Sequence, residues 1–122
     1  MSKKVPKVLI VDDEEGIRES LKLILGDHYD IILTDSGEQA LRVLEADPSI
    51  ALVLMDIKMP KVDGLDVLKA MKAKRPNLNV VMVTGYKAVE TAGEAARLGA
   101  SGYIIKPFKS DEILNTVKRN LA

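Results

Sequence analysis

The chain reads as an α/β domain on one doubly wound parallel sheet, and three observations predict this. Strand-length apolar runs recur five times, at Lys7–Val11, Tyr29–Leu33, Ala51–Met55, Val80–Val83 and Gly102–Ile105. The segments between them carry apolar residues at helical spacing, so strands and helices alternate along the chain. The run Leu52-Val53-Leu54-Met55 is apolar without alternation, as in strands covered on both faces. Right-handed crossovers leave few strand orders for five such units, and 2-1-3-4-5 is expected.

Each element has a local reason. After Lys7–Val11, a helix is expected from Glu14 to about Leu25, with Ile17, Leu21, Ile24 and Leu25 on one side and acids at its start. Gly26-Asp27 closes it. Ser36-Gly37-Glu38-Gln39 resembles a capping box opening the second helix, which Asp47-Pro48 stops. After the third strand comes the loop Pro60–Gly64, with Asp63-Gly64 read as a turn and helix start. Leu65, Val67, Leu68 and Met71 mark the third helix, ended by Pro76 with Lys72, Lys74 and Arg75 in its last turns. The fourth helix, about Ala88–Leu98, is poor in large apolar residues and contains Gly93. Ser110 is expected to cap the last helix, whose buried face is Ile113, Leu114, Val117 and Leu121.

Composition narrows the function classes. The 122 residues, 47% apolar and 30% charged, suit one domain over 1–122. Eighteen basic against eighteen acidic residues give no electrostatic footprint for nucleic acid, and one Phe, three Tyr and no Trp give no base-stacking platform. No run approaches a membrane span, and the basic start leads only into Val8–Val11, too short for a signal-peptide core. The absence of cysteine excludes thiol chemistry and agrees with a cytoplasmic setting. His28, in the turn after the first helix, reads as solvated.

The chemistry gathers where the strands end. Asp12-Asp13 follows the first strand, Asp56 the third, Thr84 the fourth and Lys106 the fifth. Open α/β sheets bind ligands at this carboxyl edge, and in the expected order the first and third strands are neighbours there. Two like charges 4 Å apart repel by about 4 kcal/mol at an effective dielectric near 20. Three clustered carboxylates therefore favour a hard divalent cation, Mg²⁺ (or Mn²⁺), or one retained proton. Asp12 or Asp13 alone could equally cap a helix or lie in solvent. Lys106 and the Thr84 hydroxyl can bind phosphoryl oxygens, and phosphoryl transfer needs positioning and charge neutralisation above all. Pro107 could hold a cis peptide after Lys106.

Four stretches carry a family resemblance: Val11-Asp12-Asp13-Glu14, Met55-Asp56-Ile57-Lys58-Met59-Pro60-Lys61-Val62-Asp63-Gly64, Val83-Thr84-Gly85 and Gly102-Tyr103-Ile104-Ile105-Lys106-Pro107-Phe108. With them the chain resembles, over essentially its whole length, the receiver domain of two-component response regulators, a flavodoxin-like (βα)5 fold. The resemblance implies that Asp56 accepts a phosphoryl group from a sensor histidine kinase or histidine phosphotransferase. It implies Mg²⁺ binding by Asp13 and Asp56, with the Lys58 backbone carbonyl as a ligand and Asp12 acting through water. Thr84 and Lys106 would bind the phosphoryl group, and Tyr103 would be the switch residue that turns inward with Thr84.

The positions between the motifs individualise this member. Lys58 and Tyr86 flank the path of the hydrolytic water and are similar to the pair in the sporulation phosphorelay regulator and some nitrogen-regulator receivers, implying a long-lived phosphoryl group. Either could instead extend into solvent. Gly16, Ile17, Ser20, Pro107 and Phe108 would form a docking surface for the kinase or phosphotransferase, although Ile17 reads equally as core. The resemblance further implies a downstream output domain or target protein, and a possible phosphorylation-dependent homodimer through the face of the fourth helix, fifth strand and fifth helix. An aspartyl-phosphate hydrolase of the haloacid-dehalogenase type is the alternative. That family needs a second Asp two residues after its nucleophile, where this chain has Lys58.

Overall fold

The computed structural model describes residues 5–85 and 89–121. A five-stranded parallel sheet is formed by β1 (Lys7–Val11), β2 (Asp30–Thr34), β3 (Ile50–Met55), β6 (Asn79–Thr84) and β7 (Gly102–Ile105). Its order is β2-β1-β3-β6-β7, which is 2-1-3-4-5 when only its own strands are counted. The helices are α1 (Glu15–Leu25), α2 (Gly37–Ala46), α3 (Gly64–Lys74), α4 (Val89–Arg97) and α5 (Ser110–Leu121).

Alternation along the strands divides the core into two layers. Leu9, Val11, Val53, Met55, Val80 and Met82 meet Ala40, Leu44, Val67, Leu68, Met71 and Ala95 from α2, α3 and α4. Val8, Ile10, Leu52, Leu54, Val81, Val83 and Ile104 meet Leu21, Leu25, Ile113 and Val117 from α1 and α5. Fully burying one large apolar side chain stabilises by about 1.5–3 kcal/mol. On that scale α3, with Val67, Leu68 and Met71 buried, is anchored more firmly than α4, whose buried residue among the described positions is Ala95.

Several boundaries differ from the sequence reading for identifiable reasons. β2 runs one residue later, because Thr34 is buried and its hydroxyl donates to the Ile10 carbonyl at 2.8 Å. The Ser36 cap holds, its Oγ accepting from the Gln39 N–H at 3.1 Å, but Gln39 Oε1 accepts from Asp35 N–H, not from Ser36. Ser110 lies inside α5, where the Ile113 N–H bonds the Lys109 carbonyl one residue earlier. The loop after Asp56 contains a small hairpin, β4 (Lys58–Met59) with β5 (Val62–Asp63), turned by Pro60 and Lys61 with φ 70° at Lys61. Pairing of β1 with β3 skips one residue: Lys7 faces Ile50, whereas Val8 faces Leu52.

Candidate functional site

The carboxyl edge of the sheet brings the predicted strand-end residues together. Val11 stands level with Met55 across the β1–β3 pair, and the Asp56 N–H bonds the Val11 carbonyl at 3.1 Å. Asp12 and Asp56 therefore leave their strands side by side, both buried. Carboxylate oxygens of Asp12, Asp13 and Asp56 all lie within 4.8 Å of one another, with Asp13 exposed. From the other side, β7 delivers Lys106, whose N–H bonds the Thr84 carbonyl at 2.8 Å and whose peptide to Pro107 is cis.

The Lys106 ammonium is the hub. Its Nζ donates to Asp12 Oδ2 at 2.8 Å, Asp56 Oδ2 at 3.0 Å and Glu14 Oε1 at 3.4 Å. Asp12 Oδ1 accepts the Glu14 N–H at 2.9 Å, and the Asp12 carbonyl accepts from the Arg18 guanidinium at 2.9 Å. Asp56 Oδ1 accepts the Lys58 N–H at 3.3 Å. Burial pushes the Asp12 carboxyl above its ordinary value, against the opposing hydrogen bond from Lys106. Burial also acts to lower the Lys106 ammonium, but its bonds to Asp12 and Asp56 outweigh it, leaving the pKa raised. Among the described residues, the half-buried Lys106 ammonium thus serves a cluster with negative charge in excess. The donor set is all oxygen and crowded, which fits a hard divalent cation rather than a soft one.

Gly64 shapes the carboxyl end of β3. Its N–H bonds the Ile57 carbonyl at 2.7 Å, and a Cβ there would collide with the Asp56 carbonyl oxygen and the Ile57 backbone. Asp63 caps α3, its Oδ1 accepting the Leu65 N–H at 2.9 Å. The expected turn is thus also a close approach of two backbones, which only glycine permits.

The remaining predicted residues fall as follows. Thr84 is buried at the end of β6, and Tyr103 is half-buried on β7. Lys58 is exposed; Tyr86 lies outside the described residues. Gly16, Ser20 and Pro107 are exposed, while Ile17 and Phe108 are half-buried against the α1–α5 layer of the core. His28 is exposed, as expected. The sequence reading starts α1 at Glu14, but Glu14 is its N-cap, one residue before the helix, and its contact with Lys106 and that of Arg18 with Asp12 carry no local sequence signal.

Among the described residues, no helix is long and apolar enough to cross a membrane. The family model for the response regulator receiver domain matches residues 8–118. The response regulator protein FleR of Pseudomonas aeruginosa is 41% identical over 116 residues, 93% of this chain and 24% of that protein. The sporulation initiation phosphotransferase F of Bacillus subtilis is 38% identical over 116 residues, 94% of this chain and 93% of its own length. The solved structure of a CheY-like receiver domain protein from Methanospirillum hungatei superposes with a TM-score of 0.92 at 32% identity, covering 97% of this chain and 94% of that one. The chain spans about a quarter of the length of several curated relatives it matches.

Proposed function

Because the chain belongs to the response regulator receiver domain family, a family of phosphoacceptor signalling modules, we propose that Asp56 accepts a phosphoryl group from a histidine kinase or histidine phosphotransferase. The supporting observation is the half-buried Lys106 ammonium bridging buried Asp12 and Asp56 beside Asp13. An Asp56 oxygen forms the new P–O bond while the donor's P–N bond breaks and its electron pair leaves with the imidazole. Lys106, already 3.0 Å from Asp56, neutralises charge on the transferred group. The Thr84 hydroxyl donates to a phosphoryl oxygen, and Tyr103 follows Thr84.

Asp12, Asp13, Asp56 and the Lys58 backbone carbonyl would hold Mg²⁺ (or Mn²⁺), which when bound supplies countercharge to the phosphoryl oxygens. Lys58 and Tyr86 shield the in-line approach of water and lengthen the lifetime of the acyl phosphate. Gly16, Ile17, Ser20, Pro107 and Phe108 form the docking surface for the donor protein. The thin anchorage of α4 suits it to be rebalanced by events at Thr84 and Tyr103, so the α4–β7–α5 face carries the output to a downstream domain or target, or to a second copy. The setting is cytoplasmic.

Incubation with Mg²⁺ and acetyl phosphate tests this reading. Intact mass should rise by one phosphoryl group in the wild type and not in Asp56→Asn, and decay after donor removal should be slow. An unlabelled wild type would overturn the assignment. Turnover of a phosphomonoester by the wild type would favour the hydrolase alternative.

A further inference from the structure

We propose that Glu14 is a further residue of this site, a latch on Lys106 that sets how readily small anionic phosphodonors are used; the inference rests on Asp56 being the acceptor. An ammonium has three N–H donors. Among the described residues, Lys106 donates to Asp12, Asp56 and Glu14, at 2.8, 3.0 and 3.4 Å. The first two carboxylates are buried, whereas the Glu14 side chain is 62% exposed. The longest and most solvated of these contacts is the one that breaks at least cost when a phosphoryl oxygen arrives.

A second observation concerns the helix start. Glu14 is the N-cap of α1, with extended backbone, yet its side chain makes no capping hydrogen bond. Ser, Thr, Asp and Asn are the residues that serve that position. Its own N–H is taken by Asp12 Oδ1. Glu14 therefore contributes no side-chain cap to α1, and its carboxylate is turned toward Lys106.

With acetyl phosphate, an Asp56 oxygen bonds to phosphorus, the acyl O–P bond breaks, and acetate leaves with the electron pair. No proton moves at Lys106; one N–H exchanges the Glu14 carboxylate for a phosphoryl oxygen. Before that exchange, Glu14 opposes an anionic donor by occupying the N–H and by its own charge.

The test uses the whole chain at saturating Mg²⁺ with acetyl phosphate varied. Glu14→Ser removes the reach to Lys106 and supplies a favoured capping residue, so the variant folds. Glu15→Ser removes the neighbouring exposed charge and controls for a general charge effect. The half-saturating acetyl phosphate concentration should fall about two- to fivefold in Glu14→Ser, the scale of an exposed ion pair. The maximal rate should change less, and added salt should narrow the difference. Glu15→Ser should match the wild type. An unchanged Glu14→Ser, or an equal shift in Glu15→Ser, overturns the latch while Asp56 labelling still stands. No labelling of the wild type overturns both readings.

Discussion

The two edges of the central sheet both carry charge and use it in opposite ways. At the amino edge, Lys7 and Arg75 are each closed on neighbouring loop and strand groups. Lys7 meets Asp47 at 2.8 Å, and the Arg75 guanidinium donates to the Pro48 and Ile50 carbonyls at 3.0 and 2.7 Å. Asn79 links the same edge to α5, donating to the Asn120 carbonyl and accepting from Ser101. At the carboxyl edge, the Lys106 ammonium meets Asp12, Glu14 and Asp56, and Asp13 crowds against Asp12 and Asp56. The first edge ties loops to strands; the second concentrates like charge at a stability cost that a bound cation can relieve.

The sharpest way to break this contrast is Lys106→Met. It leaves two buried carboxylates facing each other, and removing one partner of a buried ion pair is strongly destabilising. In chelator-treated protein, urea denaturation should show a loss of about 2–4 kcal/mol, and Mg²⁺ should restore more of it than it adds to the wild type. Gly64→Ala comes next. It displaces the Asp56 and Ile57 backbone, so a loss of about 1–3 kcal/mol from overpacking is expected, together with slower labelling of Asp56.

The smallest effect lies at the amino edge. The hydrogen bond from Lys7, with further bonds from Ser49, lowers Asp47 to about 2 from 3.8. A depressed folded-state value means that this stabilisation is present above the ordinary carboxylate range and is lost as pH falls from 3.8 toward about 2. Thermal melts across that window should lose a small increment in the wild type that is missing in Asp47→Asn, with little difference near neutrality.

The strands were legible because buried parallel strands announce themselves as unbroken apolar runs, and their carboxyl ends follow from direction alone. Strand direction alone puts Asp12, Asp56, Thr84 and Lys106 at one edge. What lacked a signal was short or distant. A ladder of two residues, such as Lys58–Met59 with Val62–Asp63, has no room to show periodicity. The strand reading Tyr29–Leu33 stops short of Thr34, whose polar group is satisfied by Ile10, on another strand. The Glu14–Lys106 contact joins residues 92 apart in the chain, and helix propensity at Glu14 says nothing of it.

The skipped pairing between β1 and β3 has a consequence for how the site is encoded. With Ala51 passed over, Val11 comes level with Met55, and Asp12 leaves its strand beside Asp56. Without the skip, Asp12 would stand beside Met55, and side chains one step out of phase point to opposite faces. The skip lies at the far end of the sheet, roughly 15 Å away at about 3.3 Å per residue. The register that sets Asp12 beside Asp56 thus runs from Val8–Leu52 to Val11–Met55, and the skip takes up the one extra residue before it. Deleting Ala51 would make the ladder regular with Val11 still level with Met55, so the Asp12–Asp56 pair would survive loss of the residue that the pairing passes over.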